Sequence, residues 1–221
     1  AIYIAHTNKD VTVTNKEIRN VVSKDPESEY SVGDRMISYA NYSTPGEPPI
    51  ITNSERLIVV NVENATSKEI SNEKVKQSNG NRTYDFKYRT EDASGKKILY
   101  KKLTLERKSD SSDSEYITVI VPDGLLRKVI KAFENQATGS FDAKYKDLLT
   151  SYIYADGYQY GPNKDTLNFF SAGSGLSYGY AITAHKSQGS TVDIVYTTLP
   201  SDPNLAYVAI TRAREKVNIV G

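Results

Sequence analysis

Two short stretches near the carboxyl end gather the residues best able to do chemistry. The first is Thr183-Ala184-His185-Lys186-Ser187-Gln188-Gly189-Ser190, which holds one of only two histidines in 221 residues. Thr183, His185 and Lys186 offer donors suited to phosphate oxygens. Gly189 can end a helical turn and let a ligand approach the backbone closely. An ordinary polar turn before a strand would carry the same residues. The second stretch is Tyr207-Val208-Ala209-Ile210-Thr211-Arg212-Ala213-Arg214-Glu215. From Leu205 to Ile210 its helix is apolar nearly all round, which predicts burial. Arg212 lies on the line of Leu205, Val208 and Ala209, and a guanidinium ending a buried stripe is costly unless something anionic meets it. The plainer alternative is that Arg212 and Arg214 complement a helix C-terminus, worth about 0.3–1 kcal/mol.

The elements that must position these stretches alternate in texture along the chain. Residues 2–6 predict a short buried strand, and Asn8 to about Ser23 a helix with Val11, Ile18, Val21 and Val22 as its apolar stripe. From Tyr30 to about Val121 the pattern turns to β. Strands are expected at Met36–Tyr39, Arg56–Val62, Tyr84–Arg89, Lys97–Arg107 and Tyr116–Val121, with a turn at Asn79-Gly80 and a long polar loop from Ser109 to Ser114. Several short strands separated by turns suggest a small barrel. Asp123 is a plausible N-cap for a helix through Phe133 that Gly139 could close. A second helix is expected at about Asp142–Ile153 and a loop over Tyr154–Gly179. Then come a helical turn at Thr183–Gln188, a strand at Val192–Thr197, a helix started by Asp202-Pro203, and a final strand. A βα unit, an all-β block and a second βα stretch are the pattern that a barrel inserted into one α/β layer would produce.

Composition narrows the classes. Lys+Arg at 28 against Asp+Glu at 27 give a net charge of +1, so any nucleic-acid site must come from local placement of charge. The absence of cysteine excludes disulfides and thiolate metal sites and fits a reducing cytoplasm. No apolar run approaches the ~20 residues that cross a bilayer, so no membrane partner is expected. The chain opens in strand-like Ala1-Ile2-Tyr3-Ile4-Ala5 and ends on Val217-Asn218-Ile219-Val220-Gly221, which suggests cuts through a larger protein.

Taken together, TAHKSQGST, an intervening strand and YVAITRARE resemble motifs V and VI of superfamily 1 helicases. The likeness is to the Dda-like and RecD-like branch that moves 5′ to 3′ on DNA. His6-Thr7-Asn8-Lys9-Asp10-Val11, with Asn15 and Arg19, looks like motif IVa of that branch. The β block from Val32-Gly33-Asp34 looks like its SH3-like 2B insert. The resemblance implies an α/β fold: a RecA-like parallel-sheet half-motor, domain 2A, interrupted by an inserted small SH3-like β-barrel with a helical extension. Its expected bounds are 1–29 and 171–221 for the half-motor and 30–170 for the insert.

The resemblance also implies roles. Arg212 matches the arginine finger that reaches the ATP γ-phosphate, a group worth ~10³–10⁵ in rate, and Gln188 and Gly189 should line the same nucleotide cleft. Thr7, Asn8, Thr183, His185 and Lys186 should hold single-stranded DNA, chiefly by its backbone. Two departures stand out. Many relatives carry a glutamate near Thr191, which puts that nucleotide contact in doubt. No G-x-x-x-x-G-K-[ST] occurs in the sequence, so ATP and Mg²⁺ would be bound mainly by an N-terminal RecA-like domain outside it, and this chain alone should not hydrolyse ATP. The competing expectation is a stand-alone nucleic-acid-binding module on the barrel, using residues such as Arg82 and Lys87. A protein-binding edge at Tyr84–Tyr88 is a third.

Overall fold

In the computed structural model, residues 1–42, 48–107, 114–134, 148, 150–157, 175–198 and 202–220 are described. The chain divides into two compact units, Ala1–Pro26 with Tyr178–Gly221, and Glu27–Ser177.

The first unit starts with β1 (Ile2–Ala5), buried at Ile2, Ile4 and Ala5, as a strand covered on both faces should be. Thr7 then caps α1 (Asn8–Val22) by accepting the Asp10 N–H at 3.1 Å. The helix's predicted span holds, but its buried stripe differs. Val11, Asn15 and Arg19 face inward, while Val21 is 84% exposed. Two polar residues can occupy that face because each is fully engaged. The Asn15 amide donates to Ala181 O at 2.9 Å and accepts from Ala181 N at 2.7 Å. The Arg19 guanidinium donates to Pro26 O at 3.1 Å and to Asp25 O at 3.4 Å, and lies 4.8 Å from the Tyr178 ring centre.

With β10 (Ala181–Thr183), β11 (Val192–Thr197) and β12 (Ala213–Ile219), β1 builds a parallel four-stranded sheet in the order β10-β1-β11-β12. Ala5 pairs with Thr183 and Ile4 with Thr197, so three carboxyl ends lie level. Two helices make the connections, α4 (Ala184–Ser187) and α5 (Pro203–Ile210), which contact each other. Asp202 and Pro203 start α5 as expected, with the Asp202 carboxylate accepting the Asn204 N–H at 2.8 Å.

The second unit is antiparallel. Its larger sheet runs β7 (Glu115–Pro122), β6 (Tyr100–Arg107), β3 (Arg56–Asn64), β2 (Arg35–Ser38) and β9 (Leu176–Tyr178), and its smaller one β4 (Lys74–Asn79), β5 (Arg82–Tyr88) and β8 (Ile153–Tyr154). Leu57, Val59, Leu103, Leu105 and Val119 are buried on the first sheet, and Phe86, Tyr88, Tyr100, Ile120 and Ile153 form a cluster that includes the second. Alternation of apolar and polar residues makes these strands legible. Gly80, at φ +60°, makes the β4–β5 turn.

Three elements depart from the sequence reading. The helix α2 (Ser67–Asn72) falls within the stretch read as β, although Thr66-Ser67-Lys68-Glu69 forms a complete capping box. The helix α3 (Leu125–Glu134) is not capped by Asp123. The buried Glu29 carboxylate supplies that function from far away in sequence, accepting the Gly124 N–H and, at 2.8 Å, the Arg127 N–H. Burial pushes the Glu29 carboxyl above its ordinary range despite these two donors. Leu176–Tyr178 is a strand inside the expected loop. The Gly139 stop and most of the helix expected at 142–153 lie outside the described residues, and Ile153–Tyr154, at its end, is β8.

Candidate functional site

The parallel sheet sets Thr183–Lys186 and the 6–11 segment at its carboxyl edge, whereas Arg212 stands at the amino edge, its carbonyl accepting the Val192 N–H at 2.9 Å where β11 begins. From β1 the chain goes on, through α1 and the second unit, to β10 on one side, whereas from the neighbouring β11 it goes to β12 on the other. Neighbouring strands whose connections diverge open a crevice at their carboxyl ends, the usual ligand position in open α/β sheets. Thr7 and Asn8 follow β1 and Thr183, His185 and Lys186 stand at the end of β10 and in α4, so the five residues expected to hold DNA share the carboxyl edge of two adjacent strands.

Their side chains are not equally available. The Thr7 hydroxyl donates to the Asp10 carboxylate at 2.7 Å and accepts the Asp10 N–H; both its functions are occupied. What this segment offers an anion is the backbone N–H groups of the first turn of α1, moderated by the Asp10 charge. Thr183 caps α4 by accepting the Lys186 N–H at 3.2 Å. His185 is exposed, and Lys186 is half-buried; burial pulls the Lys186 ammonium below the ordinary lysine range. Gln188 ends α4 with its N–H on His185 O at 3.3 Å, and Gly189 takes φ +77° to turn the chain towards β11.

The second stretch corrects the burial expectation. On α5 only Ala209 is buried, and Tyr207 is 69% exposed; apolar character all round did not enclose the helix within the described residues. Arg212 stands just after the C-cap Thr211 and folds back, its Nε donating to Val208 O at 3.2 Å and its Nη2 to Thr211 Oγ1 at 3.1 Å. Among the described residues no carboxylate pairs with it, so the guanidinium keeps donors for an anion. Arg214 is engaged differently, 3.1 Å from the exposed Asp193 carboxylate, a surface pair of little energetic weight.

Sequence reasoning assigned no role to His6, whose Nε2 lies 2.7 Å from Thr198 O and 3.1 Å from Thr198 Oγ1. Nor did it find the Asn15 clamp on Ala181. The scarcity of histidine, a polar residue on an apolar helix face and the motif IVa likeness were the signals that pointed to them. For ATP and Mg²⁺ the chemistry is partial: Arg212 has donors of the type that meets a phosphate oxygen, but among the described residues no three metal-ligating side chains gather. No described helix is long and apolar enough to cross a membrane.

Residues 178–220 match the UvrD-like helicase C-terminal domain. The chain is 32% identical over 104 residues to a probable conjugal transfer protein TraA of Sinorhizobium fredii, covering 45% of this chain and 8% of that protein. It is 52% identical over 48 residues to the conjugal transfer protein TraA of Agrobacterium fabrum, covering 21% and 4%. Among solved structures it is similar to the Pif1 helicase from Bacteroides in complex with ADP-AlF3 and ssDNA, at TM-score 0.40 and 17% identity over 100% of this chain and 41% of that one. It is also similar to the Pif1 helicase from Candida albicans, at TM-score 0.46 and 15% identity over 99% and 45%. The chain thus spans a small part of those curated relatives and under half of those solved chains. The domain match thus falls on residues 178–220, the stretch that holds both motif segments on the parallel sheet, and there the chain is similar to the UvrD-like helicase C-terminal domain.

Proposed function

We propose that the chain is the C-terminal half of an ATP-dependent DNA helicase motor, binding single-stranded DNA and lending Arg212 to ATP hydrolysis on a partner domain. The nucleotide and Mg²⁺ are held mainly by an N-terminal RecA-like domain outside this sequence, with Gln188 and Gly189 lining the shared cleft. The observation that supports this reading is that Thr7 and Asn8 follow β1 while Thr183, His185 and Lys186 end and follow β10, its neighbour, with Ala5 level with Thr183. Among the described residues that edge offers donors suited to a phosphate backbone, which suits a motor indifferent to sequence. The proposed direction is 5′ to 3′, and the inserted β unit is proposed to be the SH3-like 2B domain.

A second reading has its own observation. On β5 and beside it, Lys87 Nζ and the Arg89 guanidinium lie 6.0 and 5.2 Å from the ring centre of Tyr154 on β8, a basic, aromatic face of the kind that also binds nucleic acid. Fluorescence anisotropy with labelled single-stranded DNA separates the two. The half-motor reading expects Lys186→Ala to weaken binding and flatten the salt dependence by about 0.7 in log–log slope, one phosphate contact. It also expects affinity to fall on the alkaline side earlier than an ordinary lysine would dictate, since a lowered Lys186 loses its charge sooner. Lys186→Arg should remove that early fall. Binding unaffected at Lys186 and lost at Lys87 and Arg89 would move the function to the insert.

A further inference from the structure

The Glu27–Ser177 unit carries an open groove of about 870 Å³, within the roughly 300–1,000 Å³ of ordinary ligand clefts. Its described walls come from three places: the hairpin over residues 89–99, Asp123 with Lys128 of α3, and residues 150–152 just before β8. The hairpin is closed by its own backbone, with the Ile98 N–H on Thr90 O and the Asp92 N–H on Lys96 O, both at 2.9 Å.

Four cations, Arg89, Lys96, Lys97 and Lys128, share this lining with three carboxylates. The carboxylates are largely committed. Glu91 stands opposite Lys97 across a β-bridge, where unlike charges offset each other. The Asp92 Oδ1 accepts the Ser94 N–H at 2.9 Å, the Ser94 hydroxyl at 2.6 Å and the Lys96 N–H at 3.0 Å. Asp123 lies 3.9 Å from the Arg127 guanidinium. The cations are held more loosely. Lys128 Nζ donates to the Tyr152 hydroxyl at 2.7 Å and lies 5.1 Å from that ring centre, and the Arg89 guanidinium lies 5.2 Å from the Tyr154 ring centre. Among the described residues neither pairs with a carboxylate, and an exposed cation on an aromatic face is weakly held, so both keep their charge for an outside anion. The same lining holds Leu99, 58% exposed. A lone exposed leucine is ordinary on a convex surface. In a concave wall beside such cations it fits an apolar group that arrives together with negative charge.

Single-stranded nucleic acid fits this groove less well. It brings a charge with every nucleotide, which would crowd Glu91, Asp92 and Asp123. Its bases seek bare aromatic faces, whereas Tyr152 is 5% exposed and Lys128 lies over it. A polypeptide can space its carboxylates to avoid those three and can supply an apolar side chain. We propose that the groove docks an acidic peptide segment of a partner protein, with carboxylates on Lys96 and Lys128 and an apolar side chain on Leu99. The residues expected to hold DNA belong to the other unit, so this docking stands or falls separately from the half-motor reading.

The test uses the whole chain and fluorescence anisotropy with labelled peptides of equal length: alternating Asp and Leu, alternating Asn and Leu, and alternating Asp and Ser. Labelled oligothymidylate is the nucleic-acid probe. The Asp–Leu peptide should bind with an affinity that falls as salt is added, and the other two peptides should bind about tenfold more weakly. Lys96→Glu and Lys128→Glu should each weaken Asp–Leu binding about tenfold by setting like charges together, and Leu99→Ser about fivefold by removing the apolar contact. Lys24→Glu, an exposed change in the other unit, should stay within about twofold, since a distant charge is screened. Every substituted side chain is exposed, and Lys128→Met, which keeps the stem beside Tyr152, repeats the charge test should Lys128→Glu fail to fold. No binding of the Asp–Leu peptide, equal binding of its Asn counterpart, or indifference to the groove substitutions would overturn the proposal. Oligothymidylate affinity lost with Lys128→Glu and Leu99→Ser would also overturn it, and would make the groove a nucleic-acid surface.

Discussion

Replacing Arg212 with alanine in the full-length parent is expected to lower DNA-stimulated ATP turnover by about 10³–10⁵-fold, the range for an arginine finger. Single-stranded DNA binding should stay within about twofold. The structural ground is how lightly Arg212 is held. Its Nε and Nη2 rest on two neutral acceptors of its own helix end, Val208 O and Thr211 Oγ1, and no described carboxylate competes for it. Neutral bonds of this kind contribute about 0.5–1.5 kcal/mol each, so turning the guanidinium towards a phosphate costs little and removing it should barely lower the melting temperature. Arg212→Lys keeps the charge but not the planar fork and should recover only part of the rate. Steady-state ATPase at saturating DNA, with a melting curve for each variant, checks both parts.

The second large effect is on stability. Asn15→Ala should destabilise the parallel-sheet unit by about 2–6 kcal/mol, since it leaves both the N–H and the C=O of Ala181 buried without partners, at about 1–3 kcal/mol each. Asn15 is 2% exposed and Ala181 is fully buried, so water cannot replace the amide without rearrangement. Ala181 belongs to β10, whose side away from β1 has no ladder partner among the described residues; the asparagine supplies one pair of bonds there. Asn15→Asp keeps an acceptor for the Ala181 N–H but sets a carboxylate against the Ala181 carbonyl, and should be no better. Because β10 leads directly into Thr183, DNA affinity should fall with stability, in contrast to Arg212→Ala. Denaturant unfolding gives the measurement: a loss under about 1 kcal/mol, less than one unpaired buried group should cost, would show that the clamp is dispensable.

The elements and the site differed in how far the sequence disclosed them. Alternation along Arg56–Asn64 and Tyr100–Arg107 and the Asp202-Pro203 start of α5 are local signals, and the structure agrees with them. The features that escaped were long-range. Glu29 caps α3 from 95 residues away in sequence, and nothing near Asp123 announces it. Asn15 and Arg19 occupy the inner face of α1 because backbone carbonyls of Ala181, Asp25 and Pro26 meet them there; a periodicity argument that counts only apolar residues selects Val21 and Val22 instead. The capping box at Thr66–Glu69 is a local signal masked by the stronger β patterns on either side of it. For the candidate site, motif likeness named the residues, while the register Ala5↔Thr183 that sets two of their segments side by side is a property of strand order that no local pattern contains. The exposure of Tyr207 on an all-apolar helix shows the same limit: hydrophobicity marks a surface that seeks cover, not which part of the molecule supplies it.

The most direct test of the half-motor assignment is ATP turnover by the purified chain, alone and after addition of the nucleotide-binding domain of its parent. Background hydrolysis is predicted for the chain alone, because the sequence holds no phosphate cradle. Addition of the second domain should bring DNA-stimulated turnover that disappears with Arg212→Ala. Turnover by the chain alone, abolished by the same substitution, would contradict the assignment.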